Sequence, residues 1–210
     1  MTKKPELLAT VFTDYICPFC YVGDVRLDRL RDDYDLKINW CFLEIHPQTP
    51  VEGMATTELG YDGDRWQTMM DNLAVLAAEE DITFRPHTFT TNSHKSLLLA
   101  EAAKEAGAEI FYVLHRRLFE AFFTEGQNIG DESVLSVLAR ESGVPNEVLA
   151  RAWTDDRYKH RLQLYLAAAH ELDVRATPTV FFGEKHRIDG ALPLSTFRQL
   201  AQAGAVVQQG

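Results

Sequence analysis

Cys17 and Cys20 stand three residues apart at the seam between a strand-like run and a helical run, and that placement constrains the fold more than anything else in the chain. Leu7 to Thr13 (LLATVFT) is short, apolar and partly β-branched, and reads as a buried strand. Asp14-Tyr15-Ile16 leads into Cys17-Pro18-Phe19-Cys20. Val22, Val25, Leu27 and Leu30 then carry a helical pattern to about Tyr34. Lys37 to Leu43 alternates and reads as a second strand. Strand, helix, strand at this spacing is a βαβ unit with a parallel pair.

Residues 46 to 64 change character. Pro47, Pro50, Gly53, Gly60 and Gly63 stand among Thr and Asp, which reads as a loop. From Arg65 to about His170 the period is helical. Trp66 to Glu80 is one helix, and Asn92 or Ser93 can cap the next, which Gly107 closes. Phe111, Leu114, Leu118 and Phe122 form one stripe. Asp131 caps a shorter helix, Pro145 fits a first helical position, and Asp155 or Asp156 caps a long helix. Thr179 to Phe182 then reads as a strand, Gly183 to His186 as a turn, Arg187 to Asp189 as a returning strand, and Pro193 to Gly204 as a final helix. The sum is βαβ, about five helices, then ββα. An α/β fold is expected, with residues 1–50 and 171–210 forming a discontinuous core domain and residues 51–170 a helical insertion.

A length of 210 residues suits one domain with a sizeable insertion. Lys and Arg number 21 against 31 Asp and Glu, a net charge of −10. Such a surface repels phosphate backbones, so nucleic acid is not an expected partner. No apolar run approaches the roughly 18 residues of a membrane helix, so no membrane partner is expected either. The N-terminal residues show no signal-peptide pattern, which leads to an expected cytoplasmic location. Three cysteines cannot form a disulfide scaffold, so their positions matter more than their number.

Cysteines at i and i+3 where a helix starts share one face and can bond to each other. The first lies where helix N–H groups are unpaired and the macrodipole is positive, a field that favours the reactive thiolate. Pro18 is tolerated there because a first-turn N–H has no helical partner. The chemistry this suggests is exchange, in which Cys17 forms a mixed disulfide and Cys20 resolves it. Two other readings stand beside it. A CxxC can be half of a zinc site, but Cys41 is a lone third cysteine and no second pair completes the ligands. The cysteines could also be inert core residues. Far along the chain, Thr177-Pro178-Thr179 precedes an apolar run, and Pro178 is either an edge-strand proline or a cis proline.

Taken together these segments resemble the DsbA-like branch of the thioredoxin superfamily, and within it the FrnE-type dithiol–disulfide oxidoreductases. The resemblance runs along nearly the whole chain. Its most specific stretch is Asp14-Tyr15-Ile16-Cys17-Pro18-Phe19-Cys20-Tyr21-Val22-Gly23. Thr91 to Lys95, Leu118 to Phe123 with Gly126, Ala176 to Phe181 and Ile188 to Ala191 also fit. It implies a thioredoxin fold with a helical insertion, Cys17 as nucleophile, Cys20 as resolving thiol, and Pro178 cis beside them. The backbone of Thr177 would pair with an extended peptide substrate. Phe19, by its position between the cysteines, is expected to be exposed and to meet that substrate. The chain departs from the family at His46-Pro47, where an Asn-Pro pair is usual.

The implied function is thiol–disulfide exchange with protein or peptide thiols and disulfides, glutathione among them, with no cofactor and no metal. A glutathione-dependent small-molecule isomerase or transferase of the same fold is the alternative, against which Cys20 argues. A non-catalytic chaperone-like module is another. The apolar insert helices could support a homodimer. Phe19 brings no charge to hold a thiolate, and Asp14 and Asp24 would oppose ionisation, so a modestly depressed Cys17 is expected. Cys41 reads as a small core residue, Asn92 as a cap and His94 as solvated. Tyr15, Tyr21, Trp40 and Phe42 read mostly as core.

Overall fold

A computed structural model describes residues 4–208. Its main sheet has four strands in the order β2-β1-β5-β6. β1 (Glu6–Thr13) runs parallel to β2 (Asp35–Phe42), with Val11 opposite Trp40. The helix α1 (Pro18–Arg29) makes the crossover between them. β5 (Thr179–Phe182) pairs antiparallel with the other edge of β1, with Val11 opposite Val180, and β6 (His186–Asp189) follows as a hairpin. Central β1 therefore joins the two ends of the sequence, and the βαβ and ββα readings hold.

Between β2 and β5 lie six α-helices: α2 (Gly63–Ala78), α3 (His94–Ala103), α4 (Ala108–Phe123), α5 (Glu132–Glu141), α6 (Asn146–Arg151) and α7 (Asp156–Glu171). The caps are local and legible. Asp131 accepts from Ser133 N–H and Asp155 from Arg157 N–H, each satisfying a first-turn donor. Asp62 does the same for α2, so that helix starts three residues before Trp66. Pro145 is the cap of α6 rather than its first residue, because its ψ of 140° is extended. The segment read as a loop carries β3 (Met54–Ala55), which pairs with β4 (Phe89–Thr90), and one 3-10 turn, Thr56–Leu59. The final helix, α8 (Leu194–Gln208), runs past Gly204 and packs on β1, β5 and β6.

A single apolar cluster passes from the sheet, through Phe12, Phe42 and Phe182, into the helices, through Leu97, Leu118 and Leu135. The helices thus share the core of the sheet. Arg26 of α1 is fully buried among them and meets Glu80 at 2.8 Å, Glu79 at 2.6 Å and the carbonyls of Ala191 and Leu192. It fastens the helix behind the cysteines to the end of α2 and to the β6–α8 turn.

Candidate functional site

The chain leaves β1 through Asp14-Tyr15-Ile16, turns, and enters α1 at Cys17. Cys17 is the cap residue, with extended backbone at φ −92° and ψ 111°, and Pro18 follows in the first turn. The turn is tied by Cys17 N–H to the Asp14 carbonyl (3.2 Å) and by Cys20 N–H to the Cys17 carbonyl (3.0 Å). Cys17 is 5% exposed and Cys20 1%, and of the two Cys17 lines the adjoining groove. The segment before β5 arrives beside them. The Thr177–Pro178 peptide is cis, and the Cys17 thiol donates to the Thr177 carbonyl at 3.4 Å. Pro178 packs on Gly23 of α1, where an added Cβ would lie 3.0 Å from the proline ring. The structure therefore brings Cys17, Cys20, Thr177, Pro178 and Phe19 together. Among the described residues no group of three His, Cys, Asp or Glu side chains could hold a metal ion.

The two thiols are electrostatically unequal. Hydrogen bonding from the Cys20 thiol, then from the Thr177 side chain and the Cys20 N–H, pulls Cys17 below the ordinary thiol value, against burial and the charge of Asp14. Cys20 moves well up, first through burial and then through the Cys17 thiolate beside it. Of the two sulfurs, Cys17 is the one that ionises more readily and Cys20 the one that holds its proton.

Asp14 completes the turn from inside. It is wholly buried and accepts from Ile16 N–H (3.3 Å), Ile45 N–H (2.8 Å) and the Ser93 hydroxyl (3.0 Å). Burial pushes its carboxyl up to about 7 in spite of these bonds. Asp24, expected to act on Cys17 with Asp14, instead faces His115 of α4, because α1 carries it around to the insert side.

A groove of about 320 Å3 opens beside Cys17. Phe19, expected to be exposed, is half-buried in its wall and packs on the apolar cluster. The lining also includes Trp66, Met69 and Met70 of α2, a stretch that the sequence offered only as helix. His46 also lines the groove, with Tyr61 Oη 3.3 Å from its Nε2, so the His-Pro departure falls at the site itself.

Other candidates lie elsewhere. His94 is partly solvated, its side chain 36% exposed, and its Nδ1 is 2.6 Å from Glu44, in a separate hollow against α7. Asn92 accepts from His94 N–H, while Ser93, at the cap position, turns its hydroxyl to Asp14. Cys41 is a buried free thiol pushed up to about 11 by desolvation. Tyr15, Trp40 and Phe42 are core, and Tyr21 stacks on Phe119.

A family model described as a DSBA-like thioredoxin domain matches residues 10–202. Uncharacterized protein YwbO of Bacillus subtilis is 29% identical over 178 residues, which cover 83% of this chain and 86% of that protein. A crystal structure of a probable DsbA oxidoreductase from Streptomyces coelicolor superposes with a TM-score of 0.82 at 20% identity, covering 95% of this chain and 90% of the other. A structure of the cytosolic disulfide reductase DsbM from Pseudomonas aeruginosa with GSH gives 0.65 at 18% identity, covering 97% and 98%. Each of these two likenesses shows the fold.

Proposed function

Because the chain belongs to the family of DSBA-like thioredoxin domains, we propose that it is a cytoplasmic dithiol–disulfide oxidoreductase or isomerase acting on protein and peptide substrates through Cys17 and Cys20. One observation carries this reading: a thiol drawn below its ordinary value sits at a helix start, hydrogen-bonded to a second thiol held well above it. The Cys17 thiolate attacks a substrate disulfide and bonds to one sulfur, while the other leaves as a thiolate that takes up a proton. Cys20, giving up its proton, then displaces the first sulfur, and the two electrons of the dithiol end on the substrate. The Thr177 backbone aligns the extended substrate, Phe19 supports it, and residues 51–170 act as the unit that narrows the approach. In a reducing cytosol the resting pair is the dithiol, and glutathione, the ligand named for the DsbM structure, is the natural reductant for this site.

Insulin reduction driven by dithiothreitol tests the reading. Cys17→Ser removes the activity, and Cys20→Ser accumulates the mixed disulfide. A glutathione-dependent small-molecule transferase is the second reading, favoured by the volume of the groove, about 320 Å3, which suits a small ligand. Full turnover of a small electrophile in Cys20→Ser, with no insulin reduction by the wild type, replaces the first reading with the second.

A further inference from the structure

The groove beside Cys17 differs in charge from the molecule that contains it. The chain carries 31 Asp and Glu against 21 Lys and Arg, yet among the described residues no carboxylate lines this groove, whereas Arg65 and Arg175 do. The two histidines in its wall bring no charge at neutral pH. Burial holds His46 below its ordinary value and His87 down to about 4. The positive end of α1 adds to the same field.

The two arginines are not equivalent. Arg175 is paired with Asp173 at 2.8 Å, which cancels much of its charge. Arg65 has no such carboxylate partner among the described residues, and it is exposed beside Trp66. It also stands in the first turn of α2, where the helix macrodipole favours acids and gains nothing from a cation. Local helix formation does not account for it, and its place in the lining of the groove offers another reason.

From this we infer that the groove selects disulfides bearing carboxylates next to the reacting sulfur, with Arg65 as the specificity-determining residue. The inference rests on the oxidoreductase reading and names its substrate class. In the selected step Cys17 Sγ bonds to one sulfur of the acidic disulfide, the other sulfur leaves as a thiolate, and Cys20 completes the two-electron transfer. The two electrons come from the Cys17–Cys20 dithiol, reduced beforehand with dithiothreitol. The carboxylates can belong to a small acidic thiol or to a segment of peptide, and the chemistry recognised is the same.

The test is single-turnover oxidation of the reduced full chain, acid-quenched and weighed for the loss of two hydrogens. The probes are symmetric disulfides of Ac-Glu-Cys-Glu-amide, Ac-Gln-Cys-Gln-amide and Ac-Lys-Cys-Lys-amide, and glutathione disulfide, each scaled by its rate with dithiothreitol. The net charge of the protein and the easier departure of a thiol flanked by lysines both favour the Lys peptide. A preference for acid must therefore come from the groove. The expected result is a roughly fivefold advantage of the Glu over the Gln peptide at low salt, the size of one exposed charge pair. It shrinks towards unity in 0.5 M NaCl and inverts in Arg65→Glu, a change that suits an exposed first helical turn. An Arg65-dependent advantage confined to glutathione disulfide supports the proposal with a small thiol as its source. Equal rates for all probes, or an acid preference unchanged in Arg65→Glu, overturn the proposal alone. If no probe oxidises the pair, the oxidoreductase reading falls and the inference with it.

Discussion

The hydroxyl of Tyr15 lies 2.6 Å from Nδ1 of His115, one hundred residues further along the chain. The other ring nitrogen of His115 is 3.1 Å from Asp24. Tyr15 and His115 are 0% and 1% exposed, and Phe111, Phe119 and Trp40 surround the imidazole. The hydroxyl donates to Nδ1 and Nε2–H donates to the carboxylate, so the hydroxyl and both ring nitrogens are paired. The row joins the turn that leads to Cys17, and helix α1 itself, to the middle of α4. Beside it, Asp14 joins the same turn to Ser93 at the start of α3. Two neighbouring residues before the cysteines are thus held by two different helices of the insert.

His115→Phe keeps the ring contacts but leaves the Tyr15 hydroxyl and Asp24 without their partner in the interior. The expected loss is roughly 2–3 kcal/mol in urea unfolding. Tyr15→Phe alone costs about 1 kcal/mol, and the double variant costs less than the sum, because the second change removes an already unpaired hydroxyl. Strict additivity rejects the coupling.

The carboxyl of Asp14 titrates near 7 in the folded chain, chiefly because it is desolvated, against about 3.9 when unfolded. Between these values the native state holds a proton that the unfolded chain has released. The stability contributed by this group is therefore complete below about pH 4 and lost as pH rises through about 7. In Asp14→Asn that dependence disappears, so the gap between the variant and wild-type urea midpoints changes from pH 4.5 to 7.5. A constant gap contradicts the assignment. Since the charge of Asp14 opposes the Cys17 thiolate, the same variant is alkylated faster by iodoacetamide at pH 7.5.

Gly23→Ala would normally strengthen a helix by about 1 kcal/mol. Here the new methyl would lie 3.0 Å from the Pro178 ring, which is buried and has little room to withdraw. The expected outcome is a net loss of stability together with slower insulin reduction, since the proline carries Thr177 with it. A stabilised variant with wild-type turnover shows that the contact relaxes without consequence.

Arg26→Leu strips the buried Glu80 of one guanidinium and leaves the Ala191 and Leu192 carbonyls without a donor. Arg29, 2.6 Å from Glu80, compensates in part. The expected cost is roughly 3 kcal/mol, at the lower end for a broken buried pair. It is read as a fall in Tm of several degrees. A Tm within a degree of wild type rules out the fastening role.

The strands, the cysteine turn and the aspartate caps were legible because each rests on signals within a few residues: alternation in Lys37 to Leu43, periodicity after Cys20, an acid just before α5 and α7. The pairing of Met54–Ala55 with Phe89–Thr90 was not, since two-residue strands leave no pattern. The wall of the groove was hidden for another reason. Trp66, Met69 and Met70 recur as any packed helix face does, and only the position of α2 turns that face towards Cys17. His115 sits within the read stripe of Phe111, Leu114 and Leu118, where a lone histidine is one polar residue in an apolar row. Its meaning depends on Tyr15, which nothing near it in sequence announces. Asp14 likewise became informative only with Ile45 and Ser93 around it.

Because β1 pairs with β2 early in the sequence and with β5 only at Thr179, Cys17 is translated long before the carbonyl it donates to, 160 residues downstream. At roughly 5–20 residues per second, a nascent chain carries the cysteine pair for about 8–30 seconds without its β5 neighbour in place. During that interval the thiol of Cys17 lacks the acceptor that it meets in the folded chain. The carbonyl that meets Cys17 arrives only with the last sixth of the polypeptide.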